Sequence, residues 1–252
     1  MKKLYDKSPI WFTMVWIAGY VIGTSAADVL SGQIGAPKLL TAVFHAGLCL
    51  GALVWLKKHR LWRKYGLCRS HVKASRFLYY IPLVFLASCN VWHGLVWNMP
   101  VRESLFCFCS MCCVGFLEEL IFRGFLFEAM RGDGVRWAMV VSSLTFGIGH
   151  IVNLFNGSGV DLLSNLCQVC YAAAFGFMCV VLFYRGKSLL PCILTHSAVN
   201  ALSVFANDAD RTGERVIMTA VVLFAIAAVY GAVLLKTLPQ PEPSEEQQTT
   251  VL

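Results

Sequence analysis

Long apolar runs separated by short polar segments dominate this chain. Most runs reach the length of roughly 17–25 residues that an α-helix needs to cross a bilayer, which predicts about eight transmembrane helices. The runs are continuous rather than alternating, and this disfavours a transmembrane β-barrel. The predicted fold class is therefore all-α, a polytopic membrane helix bundle. The predicted spans cover about residues 9–30, 39–56, 77–97, 104–130, 137–152, 162–184, 189–206 and 216–235.

One transmembrane domain over residues 1–238 accounts for all of these runs. The sequence shows no strongly polar stretch long enough for a soluble domain. It also lacks an internal repeat of the kind that builds inverted-repeat transporters. Residues 239–252 have almost nothing to bury, so we expect a disordered C-terminal tail.

Composition supports a membrane protein. Of the 252 residues, 58% are hydrophobic and only 14% are charged, whereas soluble domains average about 25% charged residues. The net charge of +7 would be compatible with a nucleic-acid partner. The basic residues, however, fall in short connections between apolar runs, so we expect no nucleic acid and a lipid environment instead.

The basic residues are concentrated in alternate connections. The connections on the other side hold only Lys38, Arg102, Arg211 and Arg215. Because cytoplasmic loops carry an excess of Lys and Arg, both termini are predicted to be cytoplasmic in a multi-pass protein of the cell membrane. The basic segments are 2–7, 57–76, 131–136, 185–187 and Lys236.

The eleven cysteines do not predict a disulfide framework or a metal cluster. Most lie within apolar runs, where cysteine behaves as a small hydrophobic residue. Cysteines at 107, 109, 112 and 113 would spread around a helix axis rather than converge. Cys167 and Cys170 form a C-x-x-C pair, but within an apolar helix and without the βαβ context of a redox motif.

Three charged residues interrupt the fourth apolar run, in the sequence EELIFRG. One ionisable residue at the centre of a membrane helix costs roughly 2.5–3.5 kcal/mol even on mild insertion scales. Glu119 and Arg123 are four residues apart and share a helix face, so we expect them to neutralise each other. Glu118 points about 100° away from Glu119 on a helix, which leaves it to face a cavity and to act as a general base or acid.

Two further runs carry polar residues that need a partner. The fifth ends in FGIGH, with His150 four residues after Phe146, and Gly147 and Gly149 are expected to allow close helix approach. The seventh contains HSAVN.

In that motif His196 and Asn200 are four apart, so both should face the same neighbour. A carboxylate and two imidazoles can activate a water molecule for attack on a carbonyl. They can do this through a bound metal or directly, with Glu118 as the base. His196 and Asn200 would then hold the developing oxyanion.

The three motifs together resemble the CPBP family of intramembrane proteases, also called the Abi family. It contains CAAX prenyl endopeptidases and proteins of bacteriocin processing and immunity. Its pattern is Glu-Glu-x-x-x-Arg, Phe-x-x-x-His and His-x-x-x-Asn, and no motif position departs from it. The resemblance covers about residues 105–206. The matching residues are Glu118, Glu119, Arg123, Phe146, His150, His196 and Asn200.

The resemblance implies hydrolysis of a peptide bond in a membrane-associated peptide or protein. It implies that Glu118 activates water with the two histidines as partners, and that Glu119 and Arg123 hold the site in position. Zinc binding and a metal-free site both remain open; a bound metal would take Glu118, His150 and His196 as ligands. The compact chain without a targeting extension is typical of a prokaryote, which favours peptide maturation or bacteriocin immunity.

Two other classes of function fit the same residues. Buried Glu, His and Arg side chains also build proton relays, so a proton-coupled transporter is one alternative, which the missing repeat disfavours. A non-catalytic immunity or chaperone-like protein, which holds a peptide in the cavity without cleaving it, is the other.

Overall fold

The computed structural model describes residues 1–156, 159–209 and 211–239, and these residues are mostly helical. Within them one antiparallel β-bridge, between Leu95 and Ala206, stands apart from the helices. The predicted all-α helix bundle is confirmed. Its α-helices are α1 (Lys2–Lys7), α2 (Pro9–Gln33), α3 (Leu39–Lys58), α4 (Ile81–Ala87), α5 (Val101–Glu118), α6 (Phe127–Met130), α7 (Val135–Gly149), α8 (Leu162–Gly186), α9 (Leu190–Ser203) and α10 (Gly213–Thr237).

The fourth predicted span is one long rod with a widened middle. Between α5 and α6 the backbone forms a π-helix over Glu119–Leu126, and its eight residues are all buried. π-Helical turns inside α-helices are rare and frequently mark functional sites. Short 3-10 segments cover Ala74–Tyr80, Cys89–Val91, Arg131–Asp133 and His150–Leu154.

Six helical stretches of the described chain are long and apolar enough to cross a bilayer. The predicted number of about eight is not confirmed, because α4 and the 14-residue α9 are shorter than this length. The orientation of the termini stays a prediction. The six stretches are Pro9–Gln33, Leu39–Lys58, Val101–Asp133, Val135–Leu154, Leu162–Gly186 and Gly213–Thr237.

The continuous helix predicted for residues 77–97 is wrong. Leu78, Tyr79 and Tyr80 have positive φ angles of 50°, 51° and 60°, which break the helix before α4 begins. Left-handed residues cost roughly 1–2 kcal/mol each, a cost that apolar composition does not reveal. Farther on, the Val96 amide donates to the Phe205 carbonyl at 2.9 Å. The segment still passes from one end of the bundle to the other, but as short pieces packed against α9 and α10.

Small residues allow the helices that carry the site to approach closely. A Cβ atom at Gly115 would lie 2.4 Å from the Ser197 amide nitrogen, so α5 and α9 are in backbone contact there. At Gly147 a Cβ would lie 2.8 Å from the Ala173 side chain on α8. Gly149 does not have the predicted packing role, since a Cβ there would meet nothing within 4 Å.

An aromatic cluster ties the first helices to the widened rod. Phe125, in the π-helical segment, packs edge-on against Phe12 at 5.1 Å and Tyr65 at 4.9 Å between ring centroids. Such pairs contribute about 0.5–1.5 kcal/mol each beyond the area they bury. The cluster consists of Tyr5, Phe12, Trp16, Trp55, Tyr65 and Phe125.

The bundle has two ends with different polarity. At the end we call the basic end, Arg76 donates to the carbonyl of Thr237, the last residue of α10, at 2.7 Å. Lys64 donates to the Tyr5 hydroxyl there at 2.8 Å. The start of α2 and the ends of α3, α8 and α10 meet at this end; α9 ends at the opposite end, where α8 and α10 begin. The predicted disordered tail, residues 239–252, lies outside the described residues except for Pro239.

Candidate active site

The centre of the site is an imidazole held between two carboxylates. His196, on α9, places its Nδ1 atom 2.8 Å from Oε1 of Glu119. Its Nε2 atom lies 3.5 Å from Oε2 of Glu118. The two consecutive glutamates therefore approach opposite nitrogens of one ring. A carboxylate only accepts hydrogen bonds, so Nδ1 carries a proton and Nε2 is the nitrogen that can exchange one.

Glu119 and Arg123 form the ion pair that their spacing predicts. Arg123 Nη1 lies 3.2 Å from Glu119 Oε1, and both side chains are fully buried. The guanidinium also lies over the ring of Phe146, 3.9 Å from its centroid. A Cβ at Gly176 would come within 3.2 Å of Arg123 Nη2, so the absence of a side chain there makes room for the guanidinium. An ion pair and an aromatic face together balance a charge that water cannot reach.

Glu118 has a second partner from outside the three motifs. The hydroxyl of Tyr20, on α2, donates to Glu118 Oε1 at 2.8 Å. The carboxylate is thus fixed by Tyr20 on one oxygen and faces His196 with the other. Its side chain is 16% exposed, in contrast to the fully buried Glu119. Glu118 is the more accessible of the two acids.

His150 begins the 3-10 segment that follows α7, and its ring is fixed by the backbone. Its Nδ1 atom lies 3.0 Å from the Phe146 carbonyl, which can only accept, so Nδ1 carries the proton and Nε2 keeps its lone pair. Asn165, on α8, donates to the His150 carbonyl at 2.8 Å. Phe146 also contacts both histidine rings edge-on, at 5.0 Å from His150 and 5.6 Å from His196.

A cavity of about 300 Å³ adjoins these residues. His150, His196 and Asn200 line it together, so the second and third motifs converge. This volume is at the small end of the range for ligand pockets, about 300–1,000 Å³. Glu118 does not line the cavity, contrary to the sequence expectation. Its carboxylate lies beside His196, which does line the cavity, and its other oxygen accepts the hydrogen bond from Tyr20 on α2.

The residues considered as metal ligands do not converge on one point. Zinc takes nitrogen and oxygen ligands at about 2.0–2.2 Å, so donors that share an ion must lie within about 4.4 Å of one another. The donor atoms of Glu118, His150 and His196 do not all come within 4.8 Å of each other. In the described chain that criterion is met by Glu119, Cys179 and Cys192, where Glu119 already pairs with Arg123 and His196. The predicted trio as arranged does not fit a zinc ion.

Comparison with known families bears on the same stretch of chain. Residues 100–202 match the model of the family described as type II CAAX prenyl endopeptidase Rce1-like. This stretch is similar to the Rce1-like family. The match confirms the resemblance inferred from the motifs, and it identifies the chain as a multi-pass membrane protein with a CAAX-type protease region. Comparisons with curated proteins and with solved structures gave no match.

The Rce1-like region contains all six candidate residues of the motifs. Tyr20 lies outside it and is the residue that sequence reasoning missed. One signal was available: Tyr20 lies near the middle of α2, Pro9–Gln33, far from either end of the helix. Tyrosines of membrane helices are enriched at the interfaces, and a buried hydroxyl needs a partner. Asn165, which fixes the His150 backbone, was missed as well.

Tyr20→Phe is expected to lower kcat about tenfold with little change in KM, because the variant loses a hydrogen bond to a charged group, which contributes about 1.5–3 kcal/mol. Steady-state kinetics on a cleaved peptide would measure it. Tyr230→Phe is the matched control, since it also removes one buried hydroxyl bond, 2.7 Å to the Phe77 carbonyl, away from the site. Equal kcat values for the two variants would show that Tyr20 only supports the fold.

Proposed function

We propose that this protein is an intramembrane endopeptidase in which Glu118 activates water for attack on a peptide carbonyl. The observation that carries the proposal is the placement of His196 between Glu118 and Glu119, at the wall of a cavity shared with His150 and Asn200. A polarising amide and two imidazoles thus line a space that admits a substrate, and the base lies next to one of these imidazoles. These are the groups that acyl transfer to water requires.

In the proposed reaction, a water molecule in the cavity donates one hydrogen bond to the free Nε2 of His150, which positions it. The other proton passes to Glu118 by way of Nε2 of His196, which lines the cavity and lies 3.5 Å from Glu118 Oε2, as the water oxygen bonds to the peptide carbon. The amide of Asn200 donates to the carbonyl oxygen as it becomes negative, and such donors can contribute about 2.7–4 kcal/mol. The C–N bond then breaks, and the proton on Glu118 passes to the leaving amine.

The other charged residues hold this machinery in place. Glu119 accepts the Nδ1 proton of His196 and so fixes which nitrogen faces Glu118. Arg123 neutralises Glu119, which keeps that carboxylate from competing for the catalytic proton. Tyr20 orients Glu118 by its hydrogen bond to Oε1. This division of roles explains why two adjacent acids are present: one transfers protons and the other positions the histidine.

Cleavage of synthetic peptides tests the proposal. The full chain, purified and reconstituted in lipid vesicles, would be incubated with two peptide sets and the products read by mass spectrometry. One set carries a prenylated C-terminal CAAX cysteine, and the other carries a single apolar membrane segment. We expect the wild type to cleave at least one set and Glu118→Gln to cleave neither. A folded wild type that cleaves neither set would refute the proposed function.

A further inference from the structure

The two ends of the bundle differ sharply in charge. The loop 57–76, at the basic end, carries eight Lys and Arg residues and no acid. At the opposite end the basic side chains are few, and Lys38 and Arg211 each pair with an acid. Lys38 lies 2.9 Å from Asp28, and Arg211 lies 3.5 Å from Asp208. The asymmetry predicted from the sequence is therefore an asymmetry between two physical ends of the structure.

The cavity lies at the end that is poor in positive charge. It is lined by Ser164 and Gln168 from the start of α8 and by Arg215 from the start of α10. Asn200 and Ser203 line it from the last turn of α9. All three helices present to the cavity the end that lies away from Lys236, Lys187 and the loop 57–76.

The mouth of the cavity is polar and held by backbone contacts. Asn207, Asp208 and Arg211 line the cavity after the end of α9, and the side chains of Asp208 and Arg211 are 64% and 44% exposed, so the cavity reaches the surface here. Arg215 donates to the Asn207 carbonyl at 3.4 Å, which ties this loop to α10. On the other wall Asn90 donates to the Val199 carbonyl at 2.7 Å. Amide, hydroxyl and guanidinium groups at a mouth can pair with the backbone of an extended peptide, whereas a lipid chain offers them no partner.

We propose that the cavity opens on the non-cytoplasmic face of the membrane and that the substrate is a polypeptide segment presented there. An exported peptide, or the exported end of a membrane protein, is such a segment. The proposal combines the position of the cavity with the positive-inside rule, which places the end rich in Lys and Arg in the cytoplasm. The substrate class rests on the proposed peptidase activity, but the direction of opening does not.

Two exposed serines give a matched test of the direction. Ser203 lines the cavity, and Ser75 lies at the basic end beside Arg76. Each would be replaced by cysteine, a nearly isosteric change, and probed on intact cells with a membrane-impermeant maleimide. The background chain would carry serine at Cys68, Cys89 and Cys167, since the first lies in the basic loop and the others line the cavity.

We expect Ser203→Cys to be labelled on intact cells and Ser75→Cys only after the membrane is permeabilised. Both should react fully in detergent, which shows that the thiols of the folded variants are accessible. Three results would overturn the proposed direction of opening: the reverse pattern, labelling of both thiols on intact cells, and labelling of neither thiol on intact cells. Thiol labelling needs no catalysis, so its result is independent of the proposed function.

The substrate class has its own readout. A peptide that the reconstituted wild type cleaves should also be cleaved when it is added outside intact cells expressing the protein, and not by cells expressing Glu118→Gln. Cleavage only after permeabilisation would overturn the proposed substrate class while leaving the peptidase activity in place. Absence of cleavage under every condition, with labelling as expected, would refute the activity and leave the direction standing.

Discussion

Replacing Glu118 by glutamine is expected to reduce kcat by a factor of about 10²–10⁴, the usual contribution of a positioned general base. Glutamine keeps the size of the side chain. Its carbonyl oxygen can still accept the hydrogen bond that the Tyr20 hydroxyl donates to Glu118 Oε1, at 2.8 Å, in the wild type. It cannot accept a proton from water at neutral pH. The thermal unfolding midpoint in detergent should therefore stay close to that of the wild type while peptide cleavage is lost.

Glu128→Gln is the control for this result. Glu128 lies ten residues farther along the same rod and pairs with Arg131 at 3.0 Å, away from His196. Its replacement removes one carboxylate from the same membrane segment and should leave kcat within about twofold of the wild type. A Glu118→Gln variant that cleaves as fast as Glu128→Gln would show that Glu118 is not the base.

Arg123→Met should be the most destabilising substitution of a site residue. It leaves Glu119 buried and without its cation, and breaking a buried pair by removing one partner costs about 3–5 kcal/mol. It also removes the charge that lies over the Phe146 ring at 3.9 Å. Equilibrium unfolding in mixed detergent micelles would measure the change in the free energy of unfolding.

The double variant Glu119→Gln/Arg123→Met separates the charge from the packing. It leaves no uncompensated carboxylate, so it should recover a large part of the stability lost in Arg123→Met. Its kcat should remain low, because His196 loses the carboxylate that fixes its Nδ1 proton. If the double variant were as unstable as the single one, packing of the guanidinium rather than its charge would account for the loss.

Spacing along single helices predicted much of this site. The interval of four between Glu119 and Arg123 predicted their ion pair, because the contact needs only the geometry of one helix. The same interval predicted that His196 and Asn200 share a face, and both line the cavity. Continuous apolar runs likewise predicted the helical class, since a lipid environment permits few alternatives.

Spacing along one helix does not predict features that depend on contacts between helices. Nothing in the spacing of α2 indicates that Tyr20 reaches a carboxylate 98 positions later. The break at Leu78 and the widened turn after Glu118 depend on backbone angles that apolar composition does not encode. The catalytic roles of the motif residues stay predictions until the variants are measured.

The aromatic cluster around Phe125 limits how far the chain can be shortened for expression. Phe12 and Tyr65, which pack on that ring, lie outside residues 100–202, and so does Tyr20. A fragment trimmed to the Rce1-like region would therefore expose the Phe125 ring to lipid and leave Glu118 without its hydroxyl partner. The boundary of sequence similarity is not the boundary of self-sufficient folding here, and biochemical work should begin from the chain with α1 to α3 intact.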